Sequence, residues 1–264
     1  MHNCLMLTTL CHMTTIQIAV DFTTKNTMLI HMQLYHTNHI TIQSDTLIIH
    51  DPRLTSQLKR VMRARPGQQI TIQSEQPDHT VRYLCEITII SDTQIETTII
   101  QHSTYPHYTS AKHLIIAMSN KRDKMELIVQ KAVECGVTNI SIIPMHRSII
   151  RQPNSNKLNR IHSIALEAVE QSRSTQLPQI QRHDNWDNLT PSWQLLLSNM
   201  DWQLMSEITK QSDITLIVWP EWGIDPRDIT TLKSKGLNPT TISLWSSILR
   251  METAAIVGSR WICN

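Results

Sequence analysis

The sequence predicts an α/β protein, a parallel-sheet domain preceded by a smaller β-rich domain, on three observations. Residues 113–143 read as strand, helix, strand within about 30 residues, and such a crossover implies parallel strands. Two later apolar runs, 214–218 and 241–244, each end in a loop leading toward a helical pattern, VWPEWGID (218–225) and LWSSILRMETAA (244–255). Ligands of open α/β sheets lie beyond the carboxyl ends of the strands, so these two junctions mark a candidate cleft. Ahead of them, residues 39–100 break into short strand-like runs separated by polar turns, the punctuation of a small β-barrel.

In chain order, residues 1–31 carry little periodicity and no motif. They are expected to be a poorly ordered extension, or the product of a start codon placed too far upstream. Strand-like runs follow at 39–42, 69–73, 81–90 and 94–100, divided by turns such as Arg65-Pro66-Gly67 and Gln76-Pro77-Asp78. Between the first two, Leu54, Leu58 and Val61 have helical spacing. Lys59, Arg60, Arg63 and Arg65 cluster there, able to meet several phosphates; a solvated helix face is the competing interpretation. The polar stretch 101–112, with Pro106, has the composition of a linker. Residues 113–118 then give a buried strand, and Ser119 or Asn120 is placed to cap a helix over 122–135. That helix aligns Met125, Ile128, Val129, Ala132 and Val133 on one face, with Gly136 where a left-handed C-terminal cap is wanted. A strand at 140–143 is closed by Pro144, and His146, Arg147 and Ser148 follow its end, facing a substrate or capping the sheet. A helix over 157–174 turns Ile161, Ile164, Ala165 and Ala168 inward. Residues 183–212 are harder to read; Trp186, Trp193 and Trp202 there are expected to be packing residues. The chain closes with helices over 226–235, stopped by Gly236, and 250–262.

A formal charge of +2 is too small to demand a nucleic-acid partner, so RNA binding has to rest on local clusters. The five cysteines show no CxxC spacing, which favours reduced thiols over a disulfide framework or a metal site, and no metal is expected. No apolar run approaches the length of a membrane span and no signal-like N-terminus is evident, so a cytoplasmic protein is expected. Five glycines in 264 residues is low against the roughly 7% typical of proteins, while seven tryptophans is high.

Together with MELIVQKAVECGVTNISIIPMHRS (125–148) and EAVEQSRSTQLP (167–178), the two loops resemble the bacterial small-subunit rRNA uridine N3 methyltransferases, the RsmE type of the SPOUT superfamily. The resemblance runs from residue 32 to the C-terminus. It implies a SPOUT-type trefoil-knotted parallel-sheet domain (112–264) behind a PUA-like RNA-binding β-barrel (32–104). It further implies S-adenosyl-L-methionine as cofactor, N3 of a uridine in 16S rRNA as methyl acceptor during ribosome maturation, and a homodimer. The cofactor-binding positions it implies are Ile217, Trp219, Pro220, Glu221, Trp222, Gly223, Leu244, Trp245, Ile248, Leu249, Arg250 and Thr253. Arg250 is the candidate for holding a phosphate or the cofactor carboxylate, and Glu221 for assisting loss of the uridine proton if burial raises its pKa; Glu252 is placed to cap the last helix. Arg147 joins the barrel cluster as an RNA-binding candidate.

The family's loops read GPEGG and LGxRILRxETA. Pro220, Glu221, Gly223, Leu244, Ile248, Leu249, Arg250, Glu252, Thr253 and Ala254 match, but Trp219, Trp222 and Trp245 stand at glycine positions and Ser247 where arginine is usual. The block at 167–178 has Ser174 where arginine is usual; Arg173 is one place early, which on a helix turns a side chain by about 100°. Tryptophan at a glycine position brings about 1–2 kcal/mol of left-handed strain and an indole that can fill the pocket. One hypothesis is that some of the three are glycines written with the wrong codon table, since UGA is read as glycine in some bacterial lineages and as tryptophan in others. A decayed methyltransferase serving as an rRNA-binding or assembly factor is the rival from another class, and a SPOUT enzyme acting on tRNA is the second.

Overall fold

The computed structural model describes residues 33–148, 155–187, 189, 194–198 and 204–264. The expected extension at 1–31, Trp193 and Trp202 lie outside the described residues. Six strands, β1 (Leu34–His36), β2 (Ile40–Gln43), β3 (Thr46–Ile49), β4 (Gln69–Glu75), β5 (His79–Ile90) and β6 (Ile95–Pro106), form the first sheet in the order β1-β4-β5-β6-β3-β2. All pairs are antiparallel except β1 with β4. Side chains alternating inward from β3 (Leu47, Ile49) and β4 (Ile70, Ile72) close on Tyr35, Cys85, Ile87 and Ile95 to make one core. β6 extends further than its sequence suggests. His79 pairs with Pro106, so the strand consumes half of the expected linker and leaves 107–111 between the sheets. Proline is tolerated there because it ends the strand.

The helix expected around residue 54 forms differently. Asp51 caps α1 (Pro52–Ser56), its carboxylate accepting from Arg53 N at 2.9 Å and Leu54 N at 3.3 Å. The chain then widens into a π-turn, Gln57–Val61, with Met62 N donating to Gln57 O at 2.9 Å. Leu54 and Leu58 are buried as their spacing predicts, but Val61 is 75% exposed. An i to i+5 turn advances each residue by less than the roughly 100° of an α-helix, so Val61 falls short of the buried face.

The second sheet is built from β7 (Lys112–Ala117), α2 (Arg122–Cys135), β8 (Asn139–Ile143), α3 (Ser155–Ser172), β9 (Gln179–Arg182), β10 (Gln194–Ser198), β11 (Ile214–Val218), α4 (Pro226–Ser234), β12 (Thr240–Ile242) and α5 (Met251–Ile262). Its order is β12-β10-β11-β7-β8-β9, and every pair is parallel. β11 is buried at all its positions, as expected of a strand covered on both faces. The five apolar positions of α2 are buried, and Gly136 ends it at φ +93°. Its N-cap is Lys121, without a side-chain cap; Ser119 Oγ, expected to cap, accepts instead from Lys121 N at 3.2 Å. From the edge strand β12 the chain turns back, and α5 lies against α2, β11 and β7. The SPOUT resemblance places its knot at this return. Contact is close enough that a Cβ on Gly258 would stand 2.2 Å from Leu216 Cδ2.

α3 ends at Ser172, and Arg173 leaves it in the left-handed region at φ +55°. Arg173 is thus not a helical residue turned by one position. Its carbonyl accepts from Arg82 Nη2 at 2.6 Å, Ser174 O from Gln73 Nε2 at 3.0 Å, and Glu170 Oε1 from His36 N at 3.0 Å. The block at 167–178 therefore joins the parallel sheet to the barrel.

Candidate active site

β11 ends in a buried Val218 and releases Trp219 to Gly223 beyond the sheet. Gly223 N closes a turn on Pro220 O at 2.9 Å, and Gly223 sits at φ +75°, where glycine is the natural residue. Arg147 fixes the turn from outside, donating to Trp222 O at 2.6 Å with its Nε 3.6 Å from Asp225. Asp225 caps α4 through Arg227 N at 3.0 Å and takes both Arg227 side-chain donors at 2.9 Å; these hydrogen bonds hold its carboxyl far below the usual range. The second loop follows β12. Ser243 Oγ bonds Trp245 O at 2.7 Å, Leu244 is buried, and Arg250 sits at the N-cap of α5.

The two loops face each other across a cleft of about 670 Å³. Ten of the twelve expected cofactor positions line it: Trp219, Pro220, Glu221, Trp222, Gly223, Leu244, Trp245, Ile248, Leu249 and Arg250. Ile217 is buried in the strand behind, and Thr253 is exposed on α5 without lining the cleft. Ser198 lines it from β10, its hydroxyl donating to Ile217 O at 3.1 Å. Arg250 is exposed, and its guanidinium has no partner among the described residues.

Lys121 and Lys124 also line the cleft, and sequence reasoning missed both. Lys124 Nζ is 2.5 Å from Glu221 Oε1 and 3.1 Å from Glu252 Oε2, tying α2, the first loop and α5 together. The hydrogen bond to Glu221 is the main cause of a raised Lys124 pKa. Burial pushes Glu252 upward, but its backbone hydrogen bond and Lys124 outweigh that and leave its carboxyl below the usual value. Glu221, 24% exposed at its side chain, is ion-paired with Lys124. Glu252 bridges to Lys124 and also accepts from its own backbone N–H in the first turn of α5. The overlooked signal is in the sequence: Lys121, Arg122 and Lys124 crowd a helix N-terminus, where the dipole disfavours cations.

None of the three tryptophans adopts positive φ, so the expected backbone strain is not realised. Trp222 and Trp245 stand at the mouth, 67% and 56% exposed, and the cleft stays open with all three in place. Trp219 alone of the three joins the hydrophobic core. It is buried, and its indole N–H has no partner.

Of the RNA-binding candidates, Arg60, Arg63 and Arg65 are exposed on the barrel, Arg63 at φ +48°, and Lys59 pairs with Asp92. Arg147 holds the first loop, as above. His146 Nδ1 meets Asp228 at 2.9 Å and Ser148 Oγ accepts from Met145 N at 3.0 Å, so both cap the sheet end. Trp186 is buried, its Nε1 3.4 Å from Asp228, as a packing residue should be. Among the described residues there is no cluster of three or more metal-ligating side chains, and no helix long and apolar enough to cross a membrane.

A parallel sheet with its last helix folded back beneath it, and a cleft between the loops after β11 and β12, is the architecture of a SPOUT-type RNA methyltransferase. Residues 108–262 match the RNA methyltransferase domain family. More narrowly, the chain belongs to the ribosomal RNA small subunit methyltransferase E family. It is 32% identical over 185 residues to that protein of Rickettsia conorii, across 66% of this chain and 72% of the relative. The fold is shared with a putative methyltransferase from Legionella pneumophila in complex with the cofactor SAM, at TM-score 0.75 and 20% identity over 86% of this chain and 95% of that one. It is shared also with the ribosomal RNA small subunit methyltransferase E of Neisseria gonorrhoeae bound to S-adenosyl methionine, at TM-score 0.71 and 23% identity over 87% and 95%.

Proposed function

We propose that this protein transfers a methyl group from S-adenosylmethionine to N3 of a uridine in small-subunit rRNA, acting as a homodimer during ribosome maturation. The observation that carries the proposal is the cleft itself, where ten residues from two separate loops converge at the carboxyl ends of β11 and β12. Its chemistry fits the cofactor. Leu244, Ile248 and Leu249 supply apolar wall for an adenine, and Arg250 offers an uncommitted donor fork for a carboxylate. When bound, S-adenosylmethionine supplies an electrophilic methyl on a sulfonium and departs as the neutral thioether. The protein's part is to hold N3 in line with that methyl and to accept the N3 proton, with no covalent attachment to the chain. Glu221 and Glu252 are the carboxylates nearest that task, and Lys124 holds both in position. The barrel's Arg60, Arg63 and Arg65 meet phosphates and position the RNA without reading its sequence.

The buried indole of Trp219, at a position where the family has glycine, favours one second reading, a protein that binds rRNA without catalysis. Incubating the protein with small subunits, large subunits and tRNA, each with methyl-labelled cofactor, separates the possibilities. N3-methyluridine in small-subunit rRNA alone is the expected product; label in tRNA alone, or rRNA binding with no label in any sample, refutes the proposal.

A further inference from the structure

A second cavity, of about 360 Å³, opens between α2 and α3 beyond the ends of β7 and β8. Its floor is apolar, made by Met118, Met125, Ile142 and Ile161. Its rim is charged. Arg122 Nε lies 2.6 Å and Arg160 Nε 3.4 Å from Glu126 Oε1, Arg160 Nη1 also lies 3.8 Å from Glu167 Oε1, and Lys157 lines the same rim. Both arginine side chains are substantially exposed, at 64% and 42%, and ion pairs that open to water contribute little to stability. Holding the two helices together therefore does not explain the arrangement. The cavity lies close to the cofactor cleft. Met118 and Ser119 line both it and a small pocket bounded by Pro220, Glu221 and Trp222, which in turn line the cleft.

We propose that this cavity receives an unstacked nucleobase of the RNA substrate, with Arg122 and Arg160 at its rim holding the adjoining phosphates. The inference rests on the RNA methyltransferase reading given above. A base leaving its stack needs an apolar slot for its faces and polar groups at its edge, and methionine sulfur is a favourable neighbour for an aromatic ring. The Arg122–Glu126–Arg160 row presents donor, acceptor and donor, the complement of the acceptor, donor and acceptor along a uracil edge. The exposed guanidinium groups of Arg122 and Arg160 suit the phosphates of an RNA backbone.

The test uses the full chain and a single-stranded decanucleotide from small-subunit rRNA carrying 4-thiouridine. Photocrosslinking followed by peptide mapping should place the adduct within 118–126 or 157–161. Leu158→Trp, which fills the cavity from its rim, should weaken RNA binding at least tenfold while S-adenosylmethionine affinity stays within twofold. Arg160→Gln should weaken RNA binding and flatten its salt dependence, and it covers the case in which the tryptophan variant misfolds. Adducts confined to other peptides, RNA affinity within twofold for both variants, or a changed oligomeric state as the sole effect of Leu158→Trp would each overturn the proposal. The last outcome would give the cavity to a second copy of this chain. The two readings fail separately. A parent protein that makes no N3-methyluridine yet crosslinks through the cavity would lose the enzymatic reading and keep this one.

Discussion

His113 lies buried on β7, with Nε2 2.8 Å from Ser141 Oγ, which in turn is 3.1 Å from His183 Nε2. Burial, with a smaller contribution from His183, lowers its pKa from 6.5 to about 4. Between those values the unfolded chain binds a proton that the folded chain refuses, so stability falls as pH drops from 6.5 to 4 and is flat on either side. At pH 5 the loss from this one group is about 2 kcal/mol. His36, also lowered to about 4 by burial first and Arg53 second, adds a similar loss in the barrel. Glu75 and Glu170, whose carboxyls are raised mainly by burial, act in the opposite sense and return part of it on acidification. His113→Gln keeps a nitrogen within reach of Ser141 and removes only the titration. Urea unfolding of parent and variant at pH 7 and pH 5 therefore isolates the term. The parent should lose about 2 kcal/mol more than the variant; equal losses, within about 0.5 kcal/mol, would refute the assignment of a neutral buried histidine.

Replacing Lys124 with Met should lower methylation at least about tenfold while moving the melting temperature little, because the ion pairs are partly exposed and the cost lies in the misplaced Glu221 and Glu252. Unchanged turnover would remove Lys124 from the site. Trp219→Gly should widen the cleft and tighten S-adenosylmethionine binding; stability should drop by roughly 1–3 kcal/mol, the lost packing less the unmet indole N–H. Weaker cofactor binding would mean that the indole is part of the site. Gly258→Ala should shift the melting temperature downward, because the added methyl meets Leu216 and lies 3.6 Å from Leu244; Leu216→Ala in the same chain should recover part of the loss. Peptide masses across 214–250 from the native host distinguish glycine from tryptophan at 219, 222 and 245, and tryptophan at all three ends the recoding hypothesis.

The parts legible in the sequence are those fixed by local chemistry. The apolar face of α2, the left-handed glycines 136 and 236, and the two strand-to-loop junctions each follow from a handful of adjacent residues. Strands β1, β3, β9 and β10 were not legible, because three to five residues carry too little period to distinguish from loop. The exposure of Val61 depends on a π-turn that no residue type specifies. Lys124 meets Glu221 across 97 positions, a contact made by the tertiary fold and foreshadowed only by cations at the wrong end of a helix. The contacts of Arg173 and Glu170 were hidden for the same reason: their partners, Arg82 and His36, belong to the barrel.

Titrating S-adenosylmethionine into the purified full-length protein by isothermal calorimetry tests the central claim most directly. One site per chain is predicted, with affinity reduced by Arg250→Ala through loss of a charged hydrogen bond. No binding heat at any temperature, from a protein that melts cooperatively and still binds small-subunit rRNA, would contradict the account and leave the cleft without its cofactor.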